Sequence, residues 1–121
     1  MGIEFFRKGG KGYAPKASLR KQGQIGLNHG AVEKFDIKDG QYILLGYDRE
    51  KGMVAIRRID ATEEGAKKVI VKARSGSIAA KGFLDYFGIT PKETKAYPLQ
   101  EEPDKKLLIF FIKEKENSEN D

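Results

Sequence analysis

Gly23-Gln24-Ile25-Gly26-Leu27 decides the fold, because the chain writes its pattern a second time as Gly76-Ser77-Ile78-Ala79-Ala80. Gly23 and Ile25 match Gly76 and Ile78 at an offset of 53 residues, and Phe35 and Ile37 match Phe87 and Ile89 at 52. Val54 and Ile56 return to 53 at Leu107 and Ile109. Self-similarity at a fixed period marks a duplicated supersecondary unit. Each unit spans roughly 45 residues, a size at which an isolated domain usually needs a disulfide or a metal to hold it. The chain has no cysteine, and its residues show no metal-ligand spacing. The two units must therefore bury their apolar faces against each other.

Outward from the first copy, Ala17, Leu19 and Lys21 alternate with Ser18, Arg20 and Gln22, which predicts a half-buried strand with Arg20 on the solvent face. Gln22-Gly23 is a turn and 24–27 a second short strand. Asn28 is suited to cap a helix of about two turns whose apolar stripe is Ala31, Val32 and Phe35. Asp39-Gly40 is a turn, 42–45 a buried strand, Asp48 to Gly52 a charged hairpin turn, and 53–58 its return strand. The unit reads ββαββ. In the second unit the same logic predicts a strand over 69–74, a turn at Ser75-Gly76, a strand at 77–80 and a helix bearing Phe83, Leu84 and Phe87. A strand at 94–99 follows, where Pro98 argues for an edge or a bulge. An acidic turn at 101–104 then leads to the most apolar strand, 107–112.

The fold class expected is mainly β with short helices (α+β), two ββαββ repeats interlocked about a pseudo-twofold axis. The organisation is a flexible basic arm at 1–15, a first repeat at 16–59, a linker at 60–68, a second repeat at 69–112 sharing one core with the first, and a disordered acidic tail at 113–121.

Hydrophobic residues at 39% and charged residues at 34% describe a soluble globular chain, not a disordered one. The N-terminal residues are too few and too charged for a signal peptide, and no apolar run reaches the ~20 residues of a membrane span. Without cysteine the composition suits the cytoplasm. The net charge of +5 is concentrated early, since residues 16–59 hold 9 Lys or Arg against 5 Asp or Glu. This excess permits contact with nucleic acid without requiring it.

Chemistry is sparse. His29 is the only histidine, and beside a helix N-cap it reads as a surface or capping residue. Asp36 and Asp39 flank a turn, Asp85 falls on the outer face of the second helix, and Ser18, Ser75 and Ser77 have no histidine partner in a recognisable arrangement. Tyr42, Tyr47 and Tyr97 are core residues by default, with an exposed groove as the other reading. No catalytic residue, cofactor site or metal site is expected, and the chain reads as a non-enzyme.

The residues Leu19-Arg20-Lys21-Gln22-Gly23-Gln24-Ile25, Phe35-Asp36-Ile37-Lys38-Asp39-Gly40-Gln41-Tyr42-Ile43 and Val54-Ala55-Ile56 resemble the swapped-hairpin unit of the AbrB/MazE/SpoVT family. The second repeat carries the likeness more weakly. In that family two chains each supply one unit and interlace into a small barrel; a fused tandem would build the pair in one chain. The resemblance implies a small DNA-binding transcriptional regulator or antitoxin-like protein that lays a basic strand-and-turn surface on double-stranded DNA. The matching positions are Lys16, Arg20 and Lys21 in the first repeat, and Lys72 and Arg74 in the second. Gln24 and Ser77 stand where the family usually carries arginine or lysine after the turn glycine, and its helix-preceding proline is missing. The alternative is a non-enzymatic interaction or assembly module that reuses the scaffold, with another protein or a second copy of the chain as partner.

Overall fold

The computed structural model of the protein describes residues 14–102 and 106–112. The expected basic arm through Tyr13, residues 103–104 of the expected acidic turn and the tail at 113–121 lie outside the described residues, while Glu101 and Glu102 of that turn are strand instead. The elements are β1 (Lys16–Leu19), β2 (Gln24–Leu27), α1 (His29–Lys34), β3 (Tyr42–Asp48), β4 (Met53–Ile59), β5 (Lys67–Lys68), β6 (Ile70–Lys72), β7 (Ser75–Ala79), α2 (Lys81–Phe87), β8 (Lys95–Pro98), β9 (Gln100–Glu102) and β10 (Leu107–Phe111). Among the described residues the fold is mainly β, with two antiparallel five-stranded sheets and two short helices. The hairpin sheet has the order β6-β7-β2-β1-β8, and the closing sheet β5-β3-β4-β10-β9.

The two sheets share strands at both ends. β5 and β6 are separated by Val69 alone, and β8 and β9 by Leu99 alone, so each pair is one bent strand that leaves one sheet and enters the other. Both bend residues are buried. Their burial explains the bends: the side chain at each corner turns into the core while the flanking Lys68, Ile70, Pro98 and Gln100 stay exposed. Pro98 is the last residue of β8 at the sheet edge, where its missing N–H costs no ladder bond.

Alternation places the core. Ala17 and Leu19, Ile25 and Leu27, Val54 and Ile56, and Leu108 and Phe110 all point between the sheets and are buried. The central ladders pair strands that match in the repeat. On the hairpin sheet β2 runs against β7 with Ile25 opposite Ile78, and on the closing sheet β4 runs against β10 with Ala55 opposite Ile109 and Ile56 opposite Leu108. Ile25, Ile78, Ile56 and Leu108, which are fully buried, each contribute about 1.5–3 kcal/mol relative to exposure. That gain exists only when both halves of the chain are present.

The second hairpin corrects one expectation. Its turn is not Ser75-Gly76 but Ala73-Arg74, both left-handed (φ 50° and 69°), and Ser75–Ala79 is all strand. Lys72 pairs with Ser75 across a two-residue turn of the I′ kind. Packing decides this: Gly76 faces Leu27 and Val69, where an added Cβ would lie 3.5 Å and 3.4 Å from their side-chain carbons. Gly76 is thus a buried strand position packed against core side chains at ordinary contact distance, not a turn. In the first hairpin the turn does need glycine. Gly23 has φ 95°, and a Cβ there would meet the Lys81 Cβ at 2.8 Å.

Helices of six and seven residues are too short to persist alone in water. Asn28 ties down the first. Its Oδ1 accepts from the Ala31 and Lys16 backbone N–H groups at 2.9 Å and 3.0 Å, and its Nδ2 donates to the Ala14 carbonyl at 2.8 Å. Arg58 on β4 joins the halves, donating both to the Phe35 carbonyl at the end of α1 and to the Glu101 carboxylate on β9. Asp39 goes beyond turn chemistry, since its carboxylate accepts from the Val71 N–H at 2.9 Å along the open side of β6.

Candidate nucleic-acid interface

The inward set on the hairpin sheet leaves the opposite residues facing outward. Register aligns them in rows: Ala96, Ser18, Gly26, Ser77 and Ile70 cross the middle, while Pro98 and Lys16 on one flank run toward Ser75 and Lys72 on the other. Small side chains therefore fill the middle of the row, with the exposed Ile70 at its edge, and long cationic side chains spring from either end. The five strands read KASL, QIGL, IVK, SGSIA and KAYP, with no aspartate or glutamate among them. The closing sheet differs, carrying Asp48, Glu101 and Glu102 beside Arg57, Arg58, Lys67 and Lys68.

Lys16 and Lys72 are exposed on the outer face, and Lys21 and Arg74 are exposed in the two hairpin turns. Because β2 and β7 are antiparallel, these turns point in opposite directions. The first abuts the start of α2, where the Gly23 carbonyl accepts from the Ala80 N–H at 2.9 Å. The second lies beyond Asn28. The five positions therefore do not form one cluster. Lys16, Lys72 and Arg74 collect toward one end and Arg20 and Lys21 toward the other, their backbones four to six strand positions apart, roughly 14–20 Å at ~3.4 Å per residue.

Arg20 is held, unlike the others. Its Nη1 donates to Gln24 Oε1 at 3.1 Å. Its guanidinium lies over Gly26, so that a Cβ built on that glycine would sit 2.8 Å from Cζ. Gln24 and Gly26 carry no charge, and residue type alone does not single them out. Only the register, which puts Gln24 across from Arg20 and Gly26 beside it, brings the three together.

The remaining candidates scatter. His29 Nε2 lies 3.7 Å from Glu33 Oε1 one helical turn on, and Asp85 pairs with Lys81 at 3.2 Å on the exposed face of α2. Tyr97 stacks on Phe110 at 5.8 Å and lines a shallow groove of about 250 Å³ with Leu19, Ile89, Pro91, Lys95 and Ile112. Tyr47 packs edge-on against Phe87, and Tyr42 lies under the Lys68 ammonium in the closing sheet. The three tyrosines thus line no common groove. Tyr86, 76% exposed, stands edge-on to Phe87, whose ring also receives the Arg49 guanidinium at 5.0 Å. Among the described residues, no helix is long and apolar enough to cross a membrane.

No family model matches the chain, and neither a curated protein nor a solved structure matches it.

Proposed function

We propose that the chain is a small DNA-binding regulator, built as a fused pair of AbrB/MazE/SpoVT-like units interlocked in a swapped-hairpin barrel. The pairing of β2 with β7 and of β4 with β10 supports the interlocked, pseudo-twofold reading of the architecture. The observation that carries the function is the outer face of the hairpin sheet: five strands without an acidic residue, rimmed by Lys16, Arg20, Lys21, Lys72 and Arg74. Small residues in the middle row, Ser18, Gly26, Ser77 and Ala96, let a duplex approach closely; the Arg20 guanidinium lies over Gly26 within that row, and the other cations meet phosphates at the two ends. Phosphate contacts position a protein on the duplex, and a few fixed donors specify sequence.

Counterion release gives the test. With four or five phosphates neutralised, the logarithm of affinity for a generic duplex falls with the logarithm of salt at a slope near −4. Raising salt from ~50 to ~200 mM then weakens binding by a few hundred-fold. No binding at the lower salt, or binding indifferent to salt, overturns the reading. The exposed Tyr86 beside Phe87 and Arg49 favours a second reading, an interaction module that docks a protein through α2. That reading predicts loss of partner binding in Tyr86→Ala with the salt-dependent duplex titration absent.

A further inference from the structure

The two hairpins are not equivalent in how they hold their cations. In the first, the Arg20 guanidinium rests on Gly26 and is fixed by Gln24 at 3.1 Å. At the 53-residue offset Gln24 and Gly26 correspond to Ser77 and Ala79, and the residue opposite Ser77, as Arg20 is opposite Gln24, is Ile70. The second hairpin therefore has neither the arginine, nor the amide that would hold it, nor the glycine that makes room for it. Its cations are Lys72 and Arg74, both exposed, with no side chain among the described residues holding them in place.

We propose that the hairpins divide the duplex contact unequally: Arg20 reads a base edge and fixes the register, while Lys72 and Arg74 grip phosphate alone, so the chain recognises a non-palindromic site. The proposal rests on the DNA reading above. Its physical basis is the cost of ordering an arginine. A free guanidinium on a flexible stem gives up rotamer entropy when it is fixed, whereas one already seated has less left to lose. Seated flat over a glycine, Arg20 spends one of its five N–H donors on Gln24 and keeps the rest in a rigid fork. Such a fork suits bidentate contact with the O6 and N7 acceptors of guanine. Mobile lysines supply charge without fixing a register. A homodimer of identical hairpins would present two such forks and read a palindrome; a fused duplication lets one copy lose its fork.

Gly26→Ala is the sharpest test, because the added methyl displaces only the end of a flexible side chain. Gly26 lies in a strand without positive φ, so alanine suits its backbone. Selection of sites by the full-length protein from a randomised duplex library should enrich a non-palindromic sequence. On that sequence Gly26→Ala and Arg20→Lys should each lose about tenfold or more of the preference over random duplex, read as the ratio of the two affinities. Lys72→Ala should weaken every duplex alike and reduce the salt slope by about one. Thermal unfolding of each variant checks the fold, and Arg20→Lys carries the test if Gly26→Ala proves unstable. A palindromic selected site, or an unchanged preference in Arg20→Lys, overturns the proposal while leaving the DNA reading intact. Failure of the unaltered chain to bind any duplex at low salt overturns both.

Discussion

The hairpin sheet and the closing sheet each have five antiparallel strands and face the same core, yet they divide the labour of the molecule. The closing sheet holds the bulkiest apolar strand, Leu107–Phe111, and its charges are of both signs, with Arg58 tied to Glu101. The hairpin sheet carries smaller residues on its outer side and no acid in its strands. Balanced charge on one sheet offsets itself at close range; charge of one sign on the other sets up a field that reaches a partner. The difference teaches that both sheets supply the shared core while only the strands of the hairpin sheet carry charge of a single sign, which is why the proposed contact is placed there.

The first way to break this comparison is to empty the closing side of the core. Phe110 is fully buried, and Phe110→Ala should cost about 3–5 kcal/mol in urea unfolding. Because Val69 and Leu99 carry strands from one sheet into the other, amide exchange in β1 and β2 should accelerate together with that in β10. Hairpin-sheet amides that kept their protection would show two independent sheets.

Charge removal sharpens the comparison next. Lys16→Ala with Lys72→Ala should flatten the salt slope for generic duplex by about two, whereas Arg57→Ala with Lys67→Ala on the closing sheet should leave it unchanged. Equal loss from both pairs would mean that overall charge, and not the face, drives binding.

A smaller effect is expected at the tie between the halves. Arg58→Ala leaves the Phe35 carbonyl and the Glu101 carboxylate without their donor, which should cost about 1–3 kcal/mol of stability. A cycle with Glu101→Gln separates the ion pair from the bond to the carbonyl. The least change is expected at the second turn, where Ala73 sits at φ 50°. Ala73→Asn, a residue that tolerates the left-handed conformation, should stabilise by about 0.5–1 kcal/mol and leave duplex affinity unaltered.

Much of the local structure is legible residue by residue. Asn28 announces a helix start because its short amide readily accepts from the backbone three residues on, and Gly23 a turn because the residues around it alternate up to it and resume after it. Strand β10 is legible from its unbroken apolar run. The turn at Ala73-Arg74 is not, because neither residue prefers positive φ and the adjacent glycine points to the wrong place. The breaks at Val69 and Leu99 are equally silent, since a core valine or leucine looks the same in a straight strand as at a corner. At the candidate interface, Lys16, Arg20, Lys21, Lys72 and Arg74 could be named only through the resemblance to the swapped-hairpin unit. That Lys16 falls with Lys72 at one end, and that Gln24 and Gly26 seat Arg20, could not.

By itself the sequence determined the near-repeat at 53 residues, the mainly β class, the helix cap and the positive balance of 16–59, because each depends on residue type and short spacing. Tertiary structure alone decided which strands pair across the repeat, where the second hairpin turns and which arginine is held. Those outcomes depend on residues about fifty positions apart meeting in one register, and burial of Ile25 against Ile78 and of Leu27 over Gly76 outweighs the local preference of Ala73 and Arg74.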